Sequence, residues 1–250
     1  NNFEKNQIFK YAIDEVDVSL DFADFEKHNK FRRQPNASKW ARDTLKKCYD
    51  YNKSATIVCL GSKLNFYKEN IDSIFKLAQR YNTIVRINLY RPTEGINSFT
   101  SKFILEPQEL YRGLYYISLK YKVLSISDVL ISNLITNSVE REEDPSGTDS
   151  LRILPNGDIS PSTYLINDKF IVANIKDDNI LDELENNDIL QNLIYDKIPE
   201  ECKSCRYVHR CKGGVYDRRY LWNDSLNQKD PYCIYDGITD WSKITLSSEK

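Results

Sequence analysis

At 250 residues, with 40% hydrophobic and 12% aromatic content, the chain can bury one large core or two modest ones, and its net charge of −2 argues against a nucleic-acid footprint. No apolar run approaches the roughly 18 to 20 residues of a membrane span and no signal peptide opens the sequence, so no membrane role is expected and the cytoplasm is the expected location. The lack of methionine and the asparagine at position 1 lead us to expect a piece of a longer chain, in which consecutive numbers can hide gaps.

Residues 1–13 are charged and aromatic and read as the end of a helix. Val16-Asp-Val-Ser-Leu-Asp21 alternates in the manner of a short strand entering an active-site rim. Past a polar loop containing His28 and Arg32, residues 38–50 set Ala41, Leu45 and Cys48 at helical spacing, which makes Cys48 a core residue rather than a ligand. Thr56-Ile-Val-Cys-Leu60 is a buried-type strand ended by Gly61, and Ile71, Ile74, Phe75 and Ala78 then share one helix face. Thr83–Tyr90 is the next strand, stopped by Pro92 and Gly95. A helix opened by Pro107 carries Leu110, Leu114, Ile117 and Tyr121 on one side, and Val123-Leu-Ser-Ile gives a further strand. Strand and helix alternating at this spacing predict parallel βαβ units, with ligand-binding loops at the carboxyl ends of the strands.

The charged, breaker-rich segment Glu140–Gly147 reads as a linker, dividing the chain into 1–140, a connection at 141–150, and 151–250. Beyond it, Leu151–Leu154 and Asp158–Leu165 flank Pro-Asn-Gly, a hairpin signal. One amphipathic helix is expected near 178–195, built on Leu181, Leu184, Leu190 and Ile194, and a tail containing Trp241 is expected to pack back.

Four of the six cysteines, Cys202, Cys205, Cys211 and Cys233, follow the spacing C-x2-C-x5-C-x21-C. Disulfide frameworks belong to short secreted chains, whereas clustered cysteines in a chain of this size hold metal or do redox chemistry. Four thiolates suit one tetrahedral zinc or one iron–sulfur cubane, and the cationic neighbours Lys203, Arg206, Arg210, Lys212, Arg218 and Arg219 would offset thiolate charge with either metal. Gly213 and Gly214 tilt the balance toward a cluster, because backbone without a Cβ can approach a bulky inorganic core. With only His28 and His209 in the chain, a histidine-based metal site or triad is poorly supported, and His209 is expected at the surface.

Several runs carry a family resemblance: Leu151–Leu165, Ala173-Asn-Ile, Ile198-Pro-Glu-Glu-Cys-Lys-Ser-Cys205, Cys211-Lys-Gly-Gly and Asp230-Pro-Tyr-Cys233. Together they resemble the SPASM or twitch extension of radical S-adenosylmethionine (SAM) enzymes. With that extension in place, Val18-Ser-Leu-Asp21, the pattern H-x-x-F-R ending at Arg32, and Ile87-Asn-Leu-Tyr-Arg-Pro-Thr-Glu-Gly95 look like the second half of the family's partial, TIM-like (β/α) barrel. A complete SPASM domain carries two auxiliary 4Fe-4S clusters. Here Ser162 and Val215 stand at two cysteine positions of the same cluster, so one auxiliary cluster, on Cys202, Cys205, Cys211 and Cys233, is expected.

The resemblance further implies that Ser19 and Arg32 contact the amino and carboxylate groups of SAM, and that Asn88 and Leu89 border its adenine. It implies a catalytic 4Fe-4S cluster on a C-x3-C-x2-C loop, which these residues lack and which we expect in a missing segment. Reductive cleavage of SAM would yield a 5′-deoxyadenosyl radical that abstracts hydrogen from a peptide or protein substrate, with an electron donor such as flavodoxin or ferredoxin. The alternative expectation is a non-catalytic α/β peptide-binding module stapled by zinc or one cluster.

Overall fold

The computed structural model describes residues 7, 9–121, 124, 125, 128, 130, 131, 145–194, 198–205 and 207–233. It divides into two compact units, one made of Asn1–Tyr90 and Glu109–Ser127, the other of Arg91–Gln108 and Asp128–Lys250. The linker residues 141–144, the tail with Trp241, and Arg206 lie outside the described residues.

The first unit is α/β. Its sheet has the order β1 (Glu15–Ser19), β2 (Ser54–Gly61), β3 (Ile84–Leu89), β4 (Leu124–Ser125), with every neighbouring pair parallel. The crossovers run through α1 (Phe25–Phe31) and α2 (Ala37–Asp50), then α3 (Lys68–Arg80), then α4 (Pro107–Lys120). On β2 and β3 the residues Ile57, Cys59, Val85 and Ile87 are buried, as are Leu45 and Cys48 of α2, Ile71, Ile74, Phe75 and Ala78 of α3, and Leu110, Leu114 and Ile117 of α4. Apolar residues at helical spacing thus close onto a strand-rich sheet, the arrangement that parallel sheets require. Both α2 and α3 are followed by an asparagine in the left-handed region, Asn52 (φ 52°) and Asn82 (φ 47°), a residue that tolerates this chain reversal.

One expected loop is a helix. Asp24 caps α1 by accepting from the Lys27 amide at 2.8 Å, and His28 lies inside the helix with Arg32 at its C-cap. The local cap outweighs the polar composition that suggested a loop.

In the second unit β5 (Arg152–Ile153), β6 (Asp158–Ser160) and β7 (Ala173–Asn174) form an antiparallel sheet in that order. Gly157 (φ 94°) makes the β5–β6 turn, where a Cβ would meet Asn174 Oδ1 at 3.0 Å. Ile159, Val172, Ala173, Leu190, Leu193, Tyr216 and Leu226 form its apolar cluster. The single helix expected over 178–195 is two, α5 (Ile180–Glu185) and α6 (Asp188–Ile194). Asn187 breaks it: its side chain accepts from the Ile189 amide at 2.9 Å, and its Nδ2 donates to Val172 O at 3.2 Å. Leu181, expected on the buried face, is 71% exposed. Among the described residues no helix is long and apolar enough to cross a membrane.

Candidate functional site

A short 3-10 turn (Glu200–Cys202) opens the cysteine segment, and the Cys205 amide donates back to Cys202 O at 2.9 Å. Helix α7 (Val208–Cys211) follows, and the chain then reverses through Lys212 (φ 47°), Gly213 (φ 95°) and Gly214 (φ 94°). Here the two glycines are required, since successive positive φ angles are costly for residues with a Cβ. The four cysteines are all free thiols, Cys202 buried and Cys205, Cys211 and Cys233 half-buried.

These thiols feel one another. Burial, then the neighbouring Cys211 and Cys233, push the Cys202 thiol up to about 12. Burial also raises Cys211, opposed by hydrogen bonds from the Gly213 and Gly214 amides and reinforced by Cys205 and Asp230. Among the described residues no three His, Cys, Asp or Glu side chains are gathered closely enough to hold a metal ion. A zinc ion would draw four sulfurs to about 3.8 Å apart, given its bond lengths and tetrahedral geometry.

Of the expected cationic neighbours, Arg218, Arg219 and Lys203 have partners other than the sulfurs. Fully buried Arg218 donates to Asp230 Oδ1 through Nε at 2.8 Å and to Oδ2 through Nη2 at 2.6 Å, and it also grips Asp128. Arg219 donates to the carbonyls of Gln228, Lys212 and Leu226, and Lys203 pairs with Glu200. A run of charges in sequence does not reveal which are already neutralised. His209 is exposed.

Ser162 and Val215 are both buried and already engaged. Ser162 Oγ donates to Asp217 Oδ2 at 2.9 Å, and Asp217 also accepts from Arg91 Nε at 2.7 Å. Arg91 stacks over Tyr164 with 4.6 Å to the ring centroid. The Val215 amide donates to Asp230 Oδ2 at 2.9 Å.

In the first unit Ser19 and Arg32 line one open depression of about 360 Å³ together with His28, Gln34 and Trp40. Ser19 ends β1, and Arg32 is brought beside it by α1. The organiser is Asp21, fully buried: its Oδ1 accepts from the Leu60 amide at 2.9 Å and its Oδ2 from Arg32 Nε at 2.6 Å. Arg32 is thus aimed through Nε, leaving its two terminal nitrogens without a partner among the described residues. The Asp21 carbonyl accepts from Asn65 and Asn70, and its amide donates to His28 Nδ1 at 3.2 Å. Burial lowers the His28 pKa against the pull of Asp21, so the ring is neutral, the 3.8 Å approach to the Asp21 carboxylate is no ion pair, and the proton sits on Nε2. Asp21 and His28 stood in the sequence patterns without an assigned role.

Asn88 and Leu89 occupy the end of β3, paired in register with Leu60 and Gly61. They do not line the depression. Strand β2 separates them from Ser19, a span of about 10 Å from the usual strand spacing.

A parallel α/β unit together with a cysteine-bearing second unit defines the class of fold. No family model and no curated protein matches the sequence. Among solved structures, the chain is similar to anSMEcpe with bound AdoMet and Kp18Cys peptide, at 19% identity and a TM-score of 0.69, covering 98% of this chain and 69% of that one. It is also similar to Streptococcus suis SuiB bound to S-adenosylmethionine (16% identity, TM-score 0.62, covering 88% of this chain and 54% of that one). SuiB bound to the precursor peptide SuiA gives a TM-score of 0.60 at 17% identity. The resemblance to radical SAM enzymes with a SPASM or twitch extension therefore holds at the level of the fold.

Proposed function

We propose that the chain belongs to a radical SAM enzyme that modifies a peptide or protein. The carrying observation is that nearly the whole chain follows the fold of anSMEcpe, solved with AdoMet and a peptide, while in the second unit Cys202 lies within electrostatic reach of the free thiols Cys205, Cys211 and Cys233. In this reading residues 1–140 form the second half of a partial barrel, 141–150 connect, and 151–250 form the extension. The parent protein would work in the cytoplasm with a flavodoxin- or ferredoxin-like donor.

Ser19 and Arg32 would hold the amino-acid end of SAM, since a guanidinium with both terminal nitrogens free suits a carboxylate bidentately. Asn88 and Leu89, farther along the sheet, would border the adenine. Cys202, Cys205, Cys211 and Cys233 would hold one auxiliary 4Fe-4S cluster: four thiolates suit a cubane, and the Gly213 and Gly214 amides face the Cys211 sulfur. Ser162, whose Oγ donates to Asp217, and Val215, which offers no sulfur, support a single auxiliary cluster. When bound, SAM and the catalytic cluster would supply the radical; the chain's own part is to bind, orient and exclude water. The peptide would pair with β5, an edge strand that carries exposed Ile153 and follows exposed Leu151.

Anaerobic reconstitution with iron and sulfide tests this reading. Brown protein with about four irons per chain supports the auxiliary site, and chelation should then destabilise the second unit. SAM binding by calorimetry that is lost in Arg32→Ala supports the first site. Colourless protein that takes zinc alone would favour the stapled binding module.

A further inference from the structure

Cys211 and Cys233 belong to different turns, and a metal that gathers both must close the chain between them. Loop-closure entropy opposes that step unless the protein has already met it. The joint between the two turns is Asp230, which is fully buried.

On the Cys211 side, the Asp230 amide donates to Gly213 O at 2.9 Å, and its Oδ2 accepts from the Val215 amide at 2.9 Å. On the Cys233 side, its Oδ1 accepts from the Tyr232 amide at 2.9 Å and its carbonyl from the Cys233 amide at 2.8 Å. Contact is close enough that a Cβ at Gly214 would lie 2.2 Å from Asp230 Cβ. Arg218 grips both carboxylate oxygens and is itself braced by Asp128. A buried carboxylate without such a cation would be costly, and Arg218 supplies the opposing charge.

We propose that Asp230, held by Arg218, is the positioning residue of the cysteine cage, fixing the fourth sulfur relative to the third before metal enters. This rests on the reading of the four cysteines as cluster ligands. Asp230 ligates nothing itself. It acts through the backbone of the residues that carry the sulfurs, the role that outer hydrogen bonds play around metal sites.

The test uses the full 250-residue chain reconstituted anaerobically with ferrous iron and sulfide. Wild type is compared with Asp230→Asn, with Asp230→Glu, which keeps a charge for Arg218 but shifts it by one methylene, and with Asp72→Asn as a control in the first unit. Iron per chain, the rate of iron loss to a chelator, and the electron paramagnetic resonance spectrum of the reduced protein are measured. Wild type and Asp72→Asn should hold about four irons. Asp230→Asn should hold at least threefold less or lose it at least tenfold faster, and Asp230→Glu should retain iron with faster loss and an altered spectrum. Equal stoichiometry, loss rate and spectrum in wild type and both Asp230 variants would overturn the positioning role while leaving the cluster reading intact. Equal iron loss in Asp72→Asn and Asp230→Asn would also overturn it, since general destabilisation would then account for the effect. A wild-type chain that takes up no iron would overturn the cluster reading and this inference with it.

Discussion

The two units are held in different ways. In the first, the largest fully buried side chains are apolar residues of regular elements, such as Leu45, Ile57, Ile74 and Leu110. In the second, the largest fully buried side chains include two arginines, Arg218 and Arg219, set among Asp128, Asp217, Asp230 and backbone carbonyls. Long strands and helices satisfy their own backbone and can offer a continuous apolar face. The cysteine-bearing segment turns repeatedly and cannot, so charged side chains take up the orphaned carbonyls and amides. The comparison teaches that periodicity stabilises the scaffold and directional bonds stabilise the site.

Breaking the ion-pair core should give the largest effect. Arg218→Met leaves Asp230 buried without its cation and Asp128 with only the more distant Arg91, and should cost about 3–5 kcal/mol, read as a collapse of the second unit in urea unfolding. Removing apolar volume from the first unit should cost somewhat less, about 2–4 kcal/mol for Leu45→Ala, with the second unit's transition unchanged.

A smaller effect is expected at Asp72, which accepts from Tyr116 and Tyr121 at 2.7 and 2.6 Å and from Lys120 at 2.9 Å, joining α3 to α4 and the residue beyond it. Asp72→Asn should cost on the order of 1 kcal/mol, because solvent can replace part of the lost bonding. These bonds hold the Asp72 carboxyl well below its ordinary value of 3.8 despite partial burial. A depressed folded pKa adds stability above the unfolded value, so the wild-type advantage over Asp72→Asn should be full at neutral pH and shrink as pH falls below 3.8.

The smallest effect sharpens the comparison at the depression. Burial holds the His28 pKa below 6.5, so the unfolded chain takes up a proton first as acid is added. Wild type should lose stability relative to His28→Gln as pH falls below 6.5, and the two should run parallel above it. Thermal unfolding across pH 5 to 8 reads this; parallel curves throughout would place the titrating group elsewhere.

Much of the first unit was legible in the chain, because Ile71, Ile74, Phe75 and Ala78 declare a helix face by spacing alone and β2 by its apolar run. The helix over His28 was not, since a seven-residue helix fixed by one Asp24 cap leaves little periodic signal. Near the cysteines, spacing gave no sign that Arg218 pairs with Asp128 and Asp230, since the sequence neighbours of an arginine are not its spatial partners.

By itself, then, the sequence determined the parallel α/β unit and the hairpin, both of which depend on residues close together in the chain. Only the tertiary structure decided that Asp21 aims Arg32, that Asn187 splits a helix, and that Asp230 and Arg218 join the turns bearing Cys211 and Cys233. Those are bonds between groups distant in sequence, and a buried charge selects its partner by proximity in space, which no local pattern encodes.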